Sequence, residues 1–301
     1  THNPTLRVRI LFEQGDDFMT LAHPKEAQQI LEDAERLCRR TLGEDHVLMF
    51  QIQALLGSAQ SHNGDQAKAL AVYRSLVDHA TRVLGAAHPT TIGARLKLCR
   101  ILADGGDRAG AVACYVATMP DGDRVLGSSN RELLSFRAHY GVVLAELGKN
   151  KEARDVLAET LTRVPTDAWA EKWFVASDIA RMLGAVEIEL GDFKSALDHC
   201  QMSEAATEQQ HSPLGDGTCI GEALLGLGES KRALAALEAE QGSIEGNEPA
   251  AVGAWRFAYA RAIWAVRHQA TQAHALAEKA RTELVGTPRL AQLDAWLATL
   301  P

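Results

Sequence analysis

Apolar and polar positions follow the period of an amphipathic helix along most of this chain, interrupted at regular intervals by a glycine-bearing break. Ile52, Leu55, Leu56 and Ala59 fall at three- and four-residue spacings and predict one apolar helix face. Asn63-Gly64-Asp65 then breaks the pattern. Beyond it Ala69, Val72, Tyr73, Leu76 and Val77 resume the same spacing, and Leu84-Gly85 closes the segment. The stretch reads as two antiparallel helices joined by a tight turn. The turn glycine supplies the left-handed backbone that ends the first helix at little steric cost.

This arrangement repeats. Gly64, Gly106, Gly148, Gly191 and Gly228 stand 42, 42, 43 and 37 residues apart. Each is followed five positions later by an alanine (Ala69, Ala111, Ala153, Ala196, Ala233) and preceded by seven with a small residue (Gly57, Cys99, Gly141, Gly184, Gly221). Gly15 and Ala27 extend both series upstream, with Ala22 where the turn glycine would be. The small residues are expected to set the close approach of the paired helices. Leu31, Tyr73, Tyr115, Leu157 and Leu237, four positions after the alanines, are expected to fill the space between neighbouring units. Cys200 takes that place in the fifth unit and predicts looser packing there.

A fixed period of this size predicts an all-α solenoid of stacked helix pairs. Seven pairs are expected, over residues 5–44, 45–88, 89–129, 130–166, 167–210, 211–247 and 248–286. The seventh is the faintest, with Ala273, Leu276, Ala277 and Ala280 but no turn glycine. After Thr287-Pro288 a last amphipathic helix over 287–301 carries Leu290, Leu293, Trp296, Leu297 and Leu300 on one side, with Arg289, Gln292 and Thr299 off it. It is expected to cap the apolar end of the array.

The small residue, turn glycine, alanine and bulky residue at these offsets resemble the tetratricopeptide repeat. The longer period is similar to that of kinesin light chains and many bacterial regulators. Leu42-Gly43-Glu44-Asp45-His46, Leu84-Gly85-Ala86-Ala87-His88-Pro89 and Leu126-Gly127-Ser128-Ser129-Asn130 resemble the linker between kinesin-light-chain-type repeats. Val47 stands in the proline place after His46, and Asn130 replaces the histidine. The resemblance covers roughly residues 5 to 285.

It implies a right-handed superhelical solenoid that binds a partner peptide or protein, without catalysis, in a concave groove lined by the first helix of each pair. Counting back from the turn glycines places Ser58, His62, Asp104, Ser135, Asp178 and Glu189 among the inner positions. The candidate partner-binding residues are Gln51, Lys97, Arg100, His139 and Arg181, whose cations suit a ligand of acidic, carboxylate-bearing character. Kinesin-type grooves carry Asn at two inner positions that here hold Ala54-Leu55, Leu96-Lys97 and Ala138-His139, so their cargo peptides are not expected to bind. The alternative is the sensing domain of a larger bacterial transcription regulator or Ser/Thr kinase. Thr1 opens the chain without Met, and the helical pattern begins within a few residues; this suggests the C-terminal part of a longer protein, or a trimmed form.

Composition narrows the classes further. A formal net charge of −8 argues against general affinity for nucleic-acid backbones. No apolar run approaches the roughly 18–20 residues of a membrane span. The five cysteines lie in helical patterns without a C-x-x-C pair; they read as small buried apolar residues of a cytoplasmic protein rather than as disulfides. There is no phosphate loop, zinc-protease or nucleophile-elbow motif, so neither cofactor nor metal is expected. His199-Cys200 cannot aim both side chains at one ion from adjacent helical positions. Asp121-Gly122-Asp123 is not a calcium loop, because Val125 and Leu126 stand where an oxygen ligand and a glycine are required. Pro120 is expected to end or kink its helix early. Trp169, Trp173 and Phe174 read as filling a wide gap between repeats, with an exposed interface anchor as the other option.

Overall fold

The computed structural model describes residues 3–165, 170–209, 217–244 and 248–300, which form fifteen α-helices and no strand. They group into two compact units, Thr1–Val143 and Leu144–Pro301. In the first, α1 (Pro4–Thr20), α2 (Pro24–Thr41), α3 (Val47–His62), α4 (Gln66–Leu84), α5 (Pro89–Asp104) and α6 (Arg108–Leu126) each pack on the next in sequence. Helix α7 (Arg131–Glu146) follows and carries the boundary. The second unit continues with α8 (Asn150–Thr162), α9 (Ala170–Leu190), α10 (Phe193–Gln209), α11 (Gly217–Gly226) and α12 (Ser230–Glu240). It ends with α13 (Pro249–Arg267), α14 (Ala270–Glu283) and α15 (Arg289–Leu297). Within it α9 touches α11 and α11 touches α13, so alternate helices form a common layer.

The turns inside the pairs obey one backbone rule. Gly64 has φ +82°; its amide donates to Ser61 at 2.9 Å, and the Asp65 amide donates to Gln60 at 2.9 Å. These bonds satisfy carbonyls that the helix end would otherwise orphan. Ala22 adopts the same left-handed conformation at φ 59°, with the His23 amide on the Phe18 carbonyl. His268 does so at φ 53° between α13 and α14, which lack a turn glycine. In the linkers between pairs, His46 and His88 accept amide hydrogens from Leu48 and Thr90 through Nδ1, each at 3.2 Å. Asn130 keeps that capping role, accepting from the Leu133 amide at 3.1 Å.

The repeated alanines Ala27, Ala69, Ala111, Ala153, Ala196 and Ala233 are wholly buried. The bulky residues four positions later fill the space between neighbouring units as expected: Leu31 shares a buried cluster with Met49 and Ile52 of the next pair, Tyr115 with Leu133 and Phe136, and Leu237 with Trp255 and Tyr259. They also fill a notch within their own pair: a Cβ on Gly15 would meet Leu31 at 2.6 Å, and one on Gly221 would meet Leu237 at 2.6 Å. Two cystines correct the cysteine reading. Cys99–Cys114 joins α5 to α6 and Cys200–Cys219 joins α10 to α11; Cys38 alone is a buried thiol. Packed helices bring the paired Cα atoms to 5.3 and 5.7 Å, inside bridging range. At Cys200 the packing is not loosened, because a Cβ on Gly184 would meet the sulfurs of both Cys200 and Cys219.

Pro120 lies inside α6 and does not end it. It leaves the Val116 carbonyl without its helical donor, but Val116 is exposed, so water can serve that group. Helix α15 ends at Leu297, short of Leu300. Leu293 is buried against Phe257, Ala280 and Leu284, and the Trp296 ring meets Phe257 edge-on. Burying one leucine stabilises by about 1.5–3 kcal/mol, enough to seat this short cap. Trp169, the side chains of Trp173 and Phe174, and the breaks expected near residues 166, 210 and 247 lie outside the described residues.

Candidate functional site

In the first unit the helices α3, α5 and α7 border a cleft of about 460 Å³. The period explains how they do so. Residues at the same distance before successive turn glycines share a face, which puts Ser58 and His62 of α3 in register with Arg100 and Asp104 of α5. Helix α5 adds Lys97 and Ile101, while α7 supplies Glu132, Ser135 and Phe136. From α4, Gln66 and Tyr73 reach the same recess.

Its walls are held by short polar contacts. The Tyr73 hydroxyl donates to the Ala54 carbonyl at 2.6 Å and lies 2.7 Å from the Ser58 hydroxyl. Burial pushes the Tyr73 phenol up to about 12, so it stays a neutral donor. Ser61 donates to the Gln66 side chain at 3.2 Å, and the His62 ring sits 2.8 Å from the Ser58 carbonyl.

The charges in the cleft come in opposed pairs. Lys97 Nζ lies 4.0 Å from Glu132 Oε1, and Arg100 Nε lies 3.8 Å from Asp104 Oδ2. Behind them, His139 places Nε2 3.7 Å from Asp104 Oδ1, with its Nδ1 3.0 Å from the Tyr115 hydroxyl. Burial raises the Tyr115 phenol as well.

Of the residues singled out from sequence, Lys97 and Arg100 line this cleft. His139 stands one shell behind, holding Asp104. Gln51 is exposed on α3 about 10 Å further along the helix than Ser58, at 1.5 Å per residue, and does not line the cleft. Arg181 belongs to the second unit, exposed on α9 and 3.6 Å from Asp178. Sequence reasoning missed Tyr73, Gln66, Glu132 and Phe136 as lining residues. Only Tyr73 left a signal there: a phenol at an otherwise apolar packing position needs a hydrogen-bond partner.

A second, polar cleft of about 440 Å³ lies between α2, α3 and α4, bordered by Arg39, Gln53 and His79. His79 Nε2 is 2.8 Å from Asp45, and Arg39 bonds Glu35 and Glu44. Among the described residues no cluster of three His, Cys, Asp or Glu side chains is placed to hold a metal ion. No described helix is long and apolar enough to cross a membrane.

The same succession of packed helices is found in solved structures. A tetratricopeptide repeat protein from Parabacteroides merdae aligns with 97% of this chain and 99% of its own, at 14% identity and TM-score 0.59. The fold is that of tetratricopeptide repeat proteins. A kinesin-light-chain-type protein from Podosopora anserina with nearly identical TPR-like repeats matches 70% of this chain and all of its own, at 19% identity and TM-score 0.57. The apo form of the quorum sensor NprR from B. thuringiensis matches 97% of this chain and 82% of its own, at 11% identity and TM-score 0.70. No family profile and no curated protein matches the sequence.

Proposed function

We propose that this tetratricopeptide array is a non-catalytic interaction module whose cleft over α3, α5 and α7 receives a segment of a partner protein or a free peptide. The cleft itself carries the reading. Successive first helices contribute donors, acceptors and both signs of charge to one recess, at positions that recur with the repeat. Seven repeat units with borders near residues 44, 88, 129, 166, 210 and 247 belong to the same reading. So do Gln51 and His139 as outlying contacts in the first unit, and Arg181 as a separate contact of the second.

The charge pairs refine the ligand. Lys97 and Arg100 are balanced by Glu132 and Asp104, so a uniformly acidic segment would meet repulsion as well as attraction. Partly exposed ion pairs contribute about 0–1 kcal/mol each. A ligand carboxylate can therefore take Arg100 from Asp104 and gain a bidentate grip. The favoured ligand is a peptide with a carboxylate beside neutral or basic residues.

A second reading, a regulatory domain that senses a peptide signal within a larger bacterial protein, is supported by the likeness to the quorum sensor NprR. Both readings allow a cytoplasmic protein, as first expected from the cysteines. The two cystines weigh toward an oxidising compartment instead.

Panning a random peptide display library against the folded chain tests the cleft. Selected peptides should lose about tenfold in affinity, or ~1.4 kcal/mol, on Arg100→Ala and on Lys97→Ala, with an unchanged helical spectrum. Peptides that bind both variants as well as the parent, or that map to the second helices of the pairs, would remove this reading.

A further inference from the structure

Helix α15 has little of its own to hold it helical. It spans nine residues, and isolated helices shorter than about 12–15 residues are marginal in water. Pro288 gives it no side-chain cap, and Arg289 puts a cation at the end where the helix dipole disfavours one. Gly286, at φ +83°, turns the chain into it, and Val285 and Gly286 are exposed. Leu293 and Trp296 pack it onto α13 and α14, and Asp294 bonds Arg281 of α14 at 2.9 Å.

Its polar side makes contacts that capping the last pair does not require. Arg289 Nη1 donates to Glu222 Oε1 of α11 at 2.7 Å, and Gln292 Nε2 donates to Glu189 Oε2 of α9 at 3.0 Å. These partners lie 67 and 103 residues away in sequence. Glu222 precedes Gly228 by six positions, as Ser58 precedes Gly64 and Arg100 precedes Gly106. Glu189 precedes Gly191 by two, as His62 and Asp104 precede their turn glycines. In the second unit, α15 therefore rests on the positions that in the first unit line the open cleft.

The chemistry at this place differs from that of the first cleft. Glu222 is 8% exposed, and a carboxylate so buried is costly without a cationic partner. Arg261 of α13 is near enough to interact electrostatically with Glu222, so Glu222 is not left without a cation when Arg289 leaves. Glu189 also interacts with Arg289, so both carboxylates lose a cation when this helix leaves.

We propose that the inner positions of α9 and α11 form a second binding surface, for a partner helix that presents a cation to Glu222, and that α15 is its tethered occupant. The spacing of Arg289, Leu293 and Trp296 defines the fitting ligand: an amphipathic helix with a basic residue followed one and two turns later by large apolar ones. Such a helix competes with α15, so the surface is closed until a better ligand displaces the tether. This goes beyond the cleft of the first unit and stands or falls without it.

The test uses the full chain and a fluorescein-labelled peptide with the sequence of residues 287–301. In the variant Arg289→Ala, Leu293→Ala the tethered helix is loosened while the surface is intact. The peptide should bind this variant at least about tenfold more tightly than the parent chain. Adding Glu222→Gln should abolish the gain, and so should alanine in place of the peptide's arginine. Absence of saturable binding to a folded variant, or binding indifferent to Glu222→Gln, overturns the proposal. Native-state hydrogen exchange on the unmodified chain decides independently of whether the variant folds. Amides of 289–297 should exchange through an opening at least about tenfold more populated than the one that exposes α13 and α14. Equal protection of the three helices would make α15 a fixed part of the core and would also overturn the proposal.

Discussion

Tyr73 lies so close over Gly57 that a Cβ there would stand 2.8 Å from its ring. The absent side chain lets the ring lie against α3, and the hydroxyl then reaches the Ala54 carbonyl and Ser58. One residue thus closes the helix pair with its ring and borders the cleft with its oxygen. Packing and site are coupled at this point, so disturbing one disturbs the other.

Gly57→Ala should overpack this contact and destabilise the chain by about 1–3 kcal/mol in urea unfolding. Gly93→Ala is the control: it also lies in a helix, but nothing stands within 4 Å of a Cβ added there. It should stabilise by about 0.5–1 kcal/mol through helix propensity. Equal shifts at both sites would contradict the packing described for Gly57.

Pro120→Ala should restore a helical hydrogen bond to the Val116 carbonyl in α6. Proline is about 3 kcal/mol worse than alanine in a helix interior. Part of that cost is expected to be relieved by solvent, because Val116 is exposed. A gain of about 1–2 kcal/mol is expected by thermal or urea unfolding. A loss would mean that the proline ring makes a contact worth more than the missing bond.

Alkylating the denatured, unreduced chain should modify a single thiol, Cys38, with two cystines intact. Jointly replacing Cys99 and Cys114 with serine opens a link of 15-residue separation; such a closure contributes about 3 kcal/mol. Reduction should lower the parent's unfolding midpoint and leave that of the four-serine variant unchanged. Five reactive thiols in freshly purified protein would remove both bridges.

How much of this was legible in the sequence depended on what repeats. The glycines, alanines and small residues recur in register, so the helix pairs and even the left-handed turn at Ala22 could be placed. His268 could not, because an isolated histidine carries no mark of positive φ. In the cleft, Ser58, His62, Lys97, Arg100, Asp104 and Ser135 followed from counting back to a glycine. The pairing of Lys97 with Glu132 did not, since Glu132 lies outside that count and its reach is set by side-chain conformation. Cystine formation was equally hidden: helical spacing says which residues share a face, not which two sulfurs meet across a helix pair. The contacts from Arg289 and Gln292 connect residues so distant in sequence that no local pattern announces them.

The clearest pH dependence belongs to His199 of α10, whose Nδ1 lies 2.7 Å from Glu187 Oε2 of α9. Glu187 is almost wholly buried, and its hydrogen bond raises the pKa of His199 above the ordinary 6.5, against the opposing effect of partial burial. The folded chain therefore holds this proton more tightly than the unfolded chain does. Its stabilisation is fully present below about 6.5 and is lost as pH rises through the elevated folded value. The unfolding midpoint of the parent should fall over that interval. His199→Gln, which keeps a donor for Glu187 but cannot titrate, should remove that part of the fall and leave any contribution from the other histidines. The difference between the two profiles is the measurement. Superimposable profiles would mean that the contact between His199 and Glu187 does not couple protonation to folding.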